Sequence, residues 1–260
     1  MEIRNQAIRR VCVAVDLESY SSRILVEQDW AQRQLVGMLE EADRRGDLGR
    51  ERWITQQQGD GELALLQPGI DEAHVIPGLI RGLRTQLHER NRPLALASRL
   101  RMRLAVHVGL TRVAENGFAG DAVNTVCRLR DAPALKEALR AAPDSYLAVI
   151  VSQPIFQEVV RGHDLHDLQE RSFTRTEIEI PDKNFIAEAW IHVPHGRSAT
   201  PGAEPAAKPS PATARLPQNS SSSPQNSSSM KTKKFRGRDW VQGNVVNNTY
   251  SDDHGERGDR

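Results

Sequence analysis

Three groups of residues in this sequence have types and spacings that could do chemistry. Asp16 ends the apolar run Val11 to Val15. A carboxylate directly after a buried strand is held rigidly at a sheet edge, which suits a divalent cation. Asp60 stands between Gly59 and Gly61, with strand-like segments on either side, and so belongs at a hairpin tip. Taken singly, the first reads as a strand-end cap and the second as an ordinary turn residue. Taken together they say more. If the hairpin lies beside the first strand, both carboxylates converge, and two divalent ions could sit there with phosphates completing their shells. The third group lies in Gly117 to Leu129, where Asn124 and Arg128 are four residues apart and share one helix face. An arginine there can neutralise charge on a reacting phosphate, and an asparagine can position a ribose. The plain alternative is a solvated helix face.

These groups need elements to hold them, and the hydrophobic pattern supplies a set. Val11 to Val15 reads as a buried strand. Ile24, Ala31, Leu35, Met38, Leu39 and Ala42 recur at helical spacing and predict a helix over Ser22 to Arg44. Trp53 to Gln58 and Glu62 to Leu66 form the hairpin around Asp60. A second helix carries Ile76, Leu79, Ile80, Leu83 and Leu87. Met102, Leu104, Val106 and Val108 alternate as a strand. A third helix runs from Asp121 to Leu139, with the Asp121 carboxylate as its N-cap and Pro133 as a kink or break. Tyr146 to Val151 is a buried strand, Pro154 opens a short helix, and Ser172 to Ile180 and Phe185 to Val193 close the domain as strands. The order β-α-β-β-α-β-α-β-α-β-β predicts an α+β fold, one mostly antiparallel sheet with flanking helices.

Composition sets the outer limits. The chain has 260 residues and a net charge of +1, which gives the whole molecule no pull toward nucleic acid or a membrane surface. Its 2 cysteines, Cys12 and Cys127, lie in apolar stretches without metal-ligand spacing and read as reduced core residues. Residues 1–10 lack the apolar core of a signal peptide, and no apolar run approaches the ~20 residues of a spanning helix. The expectation is a cytoplasmic protein that does not cross a membrane. A folded domain over 1–194 is followed by a linker over 195–235, rich in Pro, Ser, Ala, Asn and Gln, with Pro-Gln-Asn-Ser repeated at 217 and 224. Such a segment buries too little apolar area to offset its ordering entropy and is expected to be disordered. Over 236–260 lies a short tail in which Trp240 to Tyr250 is β-prone and rich in Asn and Gln. It resembles the short amyloid-type signalling motifs at the ends of bacterial immune proteins, and would serve self-assembly or an effector partner. An unstructured tail is the alternative. Nucleic-acid binding by Lys231, Lys233, Lys234, Arg236 and Arg238 is the less favoured one.

The motifs occur in a recognisable order. Asp16 has a serine three residues on, then come the Gly59-Asp60 hairpin, the strand Leu104 to Gly109, and Gly-Asp-Ala-Val-Asn-x-x-x-Arg-Leu over 120–129. This order resembles the catalytic domain of class III adenylyl and guanylyl cyclases over about 190 residues, and the resemblance implies their ferredoxin-like fold. It further implies Asp16 and Asp60 as ligands of two divalent ions (Mg²⁺ or Mn²⁺), and Asn124 and Arg128 as the pair that orients the ribose and stabilises the transition state. Leu17 and Glu18 fall in the loop whose backbone covers the phosphates, and Lys183 is the nearest match to a lysine that binds them. The family's site forms between two subunits, so a homodimer with two sites is implied. A nucleoside triphosphate would become a 3′,5′-cyclic monophosphate and pyrophosphate, in bacterial signalling or defence. The base-reading positions depart from the family: Gln56 and Gly117 stand where adenylyl cyclases carry lysine and aspartate. ATP is therefore not the expected preferred substrate. The same departure supports the rival expectation of an inactive, nucleotide-sensing or dimerising domain that presents the tail.

Overall fold

The computed structural model describes residues 6–115 and 117–194; the linker and tail expected above lie outside the described residues. One sheet runs through this region in the order β2-β3-β1-β4-β6-β8-β7, with β5 paired to β4 off that path. Its strands are β1 (Ile8–Leu17), β2 (Ile54–Gln57), β3 (Gly61–Leu65), β4 (Met102–Ala114), β5 (Gly117–Ala119), β6 (Leu147–Ser152), β7 (Thr174–Ile180) and β8 (Phe185–His192). Every pairing is antiparallel except β4 with β6. The helices are α1 (Leu25–Gly46), α2 (Glu72–Asn91), α3 (Asp121–Asp131), α4 (Pro133–Arg140) and the short α5 (Gln153–Ile155), which passes into a π-helical turn at Phe156–Val160. This is the α+β class that the sequence pattern predicts.

Alternation along the strands decides which helices cover which face. Val11, Val13, Val15 and Leu17 of β1 join a core with Leu35, Met38 and Leu39 of α1 and Ile76, Leu79 and Leu83 of α2. Cys12 and Ala14, one residue out of step, join a second core with Ala122, Val126 and Leu129 of α3 and Leu135 and Leu139 of α4. The residues facing α3 are small, so that helix lies close to β1 and β4. Each fully buried aliphatic side chain here contributes about 1.5–3 kcal/mol of transfer free energy before entropy is charged against it. By the same parity Asp16 continues the series of Cys12 and Ala14, so its side chain leaves the sheet on the α3 face.

Two local expectations change and a third narrows, since of the kink or break expected at Pro133 the structure has the break. Helix α1 starts at Leu25 rather than Ser22, because residues 20–22 form a separate 3-10 turn. The N-cap of α3 is Gly120, without a side-chain cap, and Asp121 is the first helical residue, where its charge still favours the positive helix end. Gly120 is required there: its φ is 127°, and a Cβ would lie 2.6 Å from the Leu110 carbonyl oxygen. The third helix is two helices, since Pro133 cannot donate to the α3 ladder and instead opens α4. A further element, the short β5, was hidden in a Gly-rich stretch with no alternation.

Candidate active site

The first strand and the hairpin meet as the spacing requires. Asp16 stands opposite Gly61 in the β1–β3 ladder, and the Leu17 N–H donates to the Asp60 carbonyl at 3.0 Å. The backbones of Asp16 and Asp60 therefore lie side by side at one sheet edge. Gly61 permits that approach, because a Cβ there would come within 2.3 Å of the Val15 carbonyl oxygen. Gly59 takes a positive φ of 67° at the turn, which a glycine adopts without strain. The hairpin is pinned from the other face by Glu62, which is buried and accepts from both Arg50 guanidinium nitrogens at 2.7 and 2.6 Å and from Gln57 at 2.8 Å. A buried carboxylate without hydrogen-bond partners would be costly, and these three bonds supply them.

Asp16 is itself 5% exposed. Its cross-strand neighbour on β4 is Arg103, which donates from Nε to Oδ1 at 2.8 Å and from Nη2 to Oδ2 at 2.5 Å. Arg130, near the end of α3, approaches Oδ2 to 3.9 Å. Burial nevertheless outweighs both guanidinium groups and pushes the Asp16 carboxyl up to about 6. Arg130 is anchored on its own account. Its Nη1 donates to Gln58 Oε1 at 2.7 Å, and its Nε and Nη2 donate to Asp131 at 3.0 and 3.1 Å. Neither arginine was singled out from the sequence. The available signal was parity, since residue 103 falls on the same face of β4 as Ala105, the face that α3 covers.

Leu17 and Glu18 follow Asp16, and both backbone N–H groups are engaged inside the fold. Leu17 donates to Asp60 and Glu18 to the Arg101 carbonyl at 2.8 Å. The Glu18 carboxylate accepts from Arg101 at 2.9 Å, and Arg101 also donates to the Ser145, Leu139 and Ala142 carbonyls. This loop is thus fixed from beneath. Ser19, with a φ of 58°, turns the chain from it toward α1.

The two base-reading positions are in contact. Gln56 lies on β2 opposite Leu63, and Gly117 begins β5 with a φ of 103°. A Cβ on residue 117 would stand 2.7 Å from Gln56 Oε1 and 3.3 Å from Nε2. The glutamine amide therefore occupies the space that a side chain at 117 would need.

Asn124 and Arg128 are elsewhere. Asn124 is exposed on α3, and the Arg128 guanidinium lies over the Phe185 ring of β8, 5.0 Å from its centroid. Arg128 and Arg130 are about 200° apart around the helix. As Arg130 faces Asp16, Arg128 faces away from it. Lys183 is exposed in the β7–β8 turn two residues before Phe185, near enough to the Cys127 thiol to pull its pKa down against the larger rise from burial. So the structure brings the backbones of Asp16 and Asp60 together, and Gln56 and Gly117 together, while Arg128 lies over Phe185 and Lys183 lies near Cys127. Among the described residues no group of three or more His, Cys, Asp or Glu side chains comes together. The two aspartates fit a divalent cation in kind, as oxygen donors whose backbones are adjacent, provided Arg103 yields its hold on Asp16.

Neither a family model nor a curated protein matches the sequence. Solved structures do. A cyclase/hydrolase from Silicibacter pomeroyi, described as adenylate/guanylate, is 19% identical over 73% of this chain and 99% of its own, with a TM-score of 0.48. The adenylyl cyclase CyaB from P. aeruginosa is 14% identical over 74% of this chain and 98% of its own, with a TM-score of 0.45. The guanylate cyclase domain of RhGC from Catenaria anguillulae, solved in complex with GTP, is 12% identical over 73% of this chain and 97% of its own, with a TM-score of 0.43.

Proposed function

We propose that this chain is a nucleotidyl cyclase that acts as a homodimer. The observation that carries the reading is the Leu17–Asp60 backbone bond, which sets Asp16 and Asp60 side by side at the end of β1. The order of motifs around them supports it. In the proposed reaction the ribose 3′-oxygen attacks the α-phosphorus, the bond from that phosphorus to the β-phosphate bridging oxygen breaks, and pyrophosphate leaves. The 3′-hydroxyl proton passes to solvent. Two divalent ions held by Asp16 and Asp60 would polarise the α-phosphate and favour the ionised 3′-oxygen.

The remaining work falls to this chain's own groups. Arg128 faces away from its own Asp16, so it serves the site of the second copy, where it offsets charge that develops on the α-phosphoryl oxygens. Asn124, one turn earlier on the same face, orients the ribose of that nucleotide. Lys183, on the Phe185 side with Arg128, binds the outer phosphates there. Gln56 reads the base with one donor and one acceptor, and Gly117 leaves it room. With the N–H groups of Leu17 and Glu18 already engaged, the backbone that covers the phosphates begins at Ser19. Outside the described residues, we propose Trp240 to Tyr250 as an output segment for self-assembly or an effector. A peptide of residues 236–252 that stays monomeric at high concentration and salt, with no partner to order it, would count against that role.

The direct test of the enzyme reading is incubation of the purified full chain with each of the four ribonucleoside triphosphates and Mn²⁺, followed by mass spectrometry. At least one should yield its 3′,5′-cyclic monophosphate and pyrophosphate. Absence of a cyclic product from all four sinks the reading.

A further inference from the structure

We propose that Arg103 and Arg130 form a guanidinium cap on Asp16 that keeps a lone divalent cation out and yields only when a polyphosphate enters with the cation. The proposal rests on the cyclase reading of the same site and adds an order of binding to it.

The geometry assigns different parts to the two arginines. Arg103 grips both Asp16 oxygens, at 2.8 and 2.5 Å, and so takes one lone-pair direction of each and holds a positive charge against any metal that approaches the carboxylate from that side. It is the group that must leave. Arg130 is held by Gln58 and Asp131 whether or not Asp16 is engaged. It therefore remains a fixed positive charge 3.9 Å from Asp16 Oδ2 after Arg103 swings away. Asp131 offsets part of that charge, but its side chain is 49% exposed and so screened by water, whereas the Arg130 and Asp16 side chains are 14% and 7% exposed. A cation approaching alone must displace one guanidinium and then sit beside another. A triphosphate reverses both penalties, since its oxygens supply new acceptors for the displaced Arg103 fork and new negative charge beside Arg130.

Arg130 also couples the cap to the hairpin. Gln58 immediately precedes Gly59-Asp60, so the bond from Arg130 fixes the strand end that carries the second aspartate. One residue of α3 thus approaches Asp16 and holds the strand end before Asp60 from within the same chain, in contrast to Arg128, which serves the second copy.

The test measures retention of Mn²⁺ by the full-length protein on ultrafiltration, with the metal alone and with inorganic tripolyphosphate. The wild type should retain Mn²⁺ at least tenfold more weakly alone than with tripolyphosphate. Arg130→Gln should retain it alone at least tenfold more tightly than the wild type. Arg130→Lys, which keeps the charge, should behave as the wild type, and Asp16→Asn should abolish retention in both conditions. If the wild type holds Mn²⁺ alone as tightly as it does with tripolyphosphate, the cap is overturned while the metal site stands. Retention with tripolyphosphate that Asp16→Asn leaves intact overturns the site itself, and the cap with it. Should Arg130→Gln fail to fold, Arg103→Gln, which removes the fork that grips Asp16, should likewise retain Mn²⁺ alone at least tenfold more tightly than the wild type.

Discussion

Gln56 and Gly117 share one space: the amide oxygen of the first lies 2.7 Å from where a Cβ of the second would be. The two residues are 61 positions apart, and β2 and β5 bring them together. In the proposed site the base would therefore be met by a single neutral amide. A lysine–aspartate pair would fix adenine through a specific donor and acceptor set, and losing a buried partner costs about 1–3 kcal/mol of discrimination. GTP, UTP or CTP should accordingly compete with ATP within about tenfold, or win. Turnover of an equimolar mixture of the four, read by mass spectrometry, checks this; a preference for ATP above about a hundredfold would show that other residues read the base. Gly117→Asp alone should destabilise the fold by about 1–3 kcal/mol, because φ is 103°.

The two glycines around Asp60 should differ sharply in tolerance. Gly61→Ala places a Cβ 2.3 Å from the Val15 carbonyl oxygen, a backbone atom that cannot swing away. It should force β3 off β1 and cost on the order of 3 kcal/mol or more, with loss of activity as Asp60 moves from Asp16. Gly59→Ala meets nothing within 4 Å and carries only the cost of its positive φ, about 1 kcal/mol. Urea denaturation of both variants measures the contrast. Equal losses would mean that the β1–β3 approach is not what fixes Gly61.

These contacts mark where sequence reading stops. Asp16 and Asp60 were legible because apolar alternation and a Gly-Asp-Gly turn are local signals. The strand over Val11 to Val15 was legible from its unbroken apolar run, and the strand over Met102 to Val108 from its alternation. The Asp16–Arg103 pair was not legible, because it depends on the β1–β4 register, and arginines are frequent throughout the chain. Asp121 was taken as a cap because its type favours caps, whereas the closeness of Leu110 required the glycine before it. The Gln56–Gly117 contact needed the pairing of β5, a strand of three residues with no pattern of its own.

Asp16 gives a pH signature. Burial holds its carboxyl up at about 6, above the ordinary 3.8, so the folded protein binds the proton more tightly than the unfolded chain. Stability must then fall as pH rises between about 4 and 6, by up to about 3 kcal/mol from this group. His107 acts in the opposite sense over the same window, because burial holds it down at about 4 and it stays neutral in the fold. The wild-type curve alone therefore mixes the two. Subtracting the Asp16→Asn curve isolates Asp16: relative to that variant, the wild type should lose stability from pH 4 to 6 and then level off. A flat difference would place the Asp16 pKa near its ordinary value.

The opposed directions of Arg128 and Arg130 yield the strictest test of shared sites. If Arg128 serves the second copy, Asp16→Asn and Arg128→Ala each inactivate both sites of their own homodimers. A mixed dimer of the two variants then holds one site with both defects and one with neither. Random exchange of equal amounts makes about half of all dimers mixed, so about a quarter of the wild-type sites should reappear. Cyclic nucleotide formation should rise from near zero to about that fraction after the variants are denatured and refolded together, and should not rise when they are mixed without exchange. If Arg128 instead acted on its own chain's Asp16, one protomer of each mixed dimer would carry each lesion and no site would be intact. No recovery, with mixed dimers demonstrated by tagged subunits, would assign Arg128 to its own chain or to no site. In the Arg128→Ala homodimer the residual activity should be lowered in kcat rather than raised in KM, because the charge that Arg128 offsets develops only as the α-phosphoryl group is transferred.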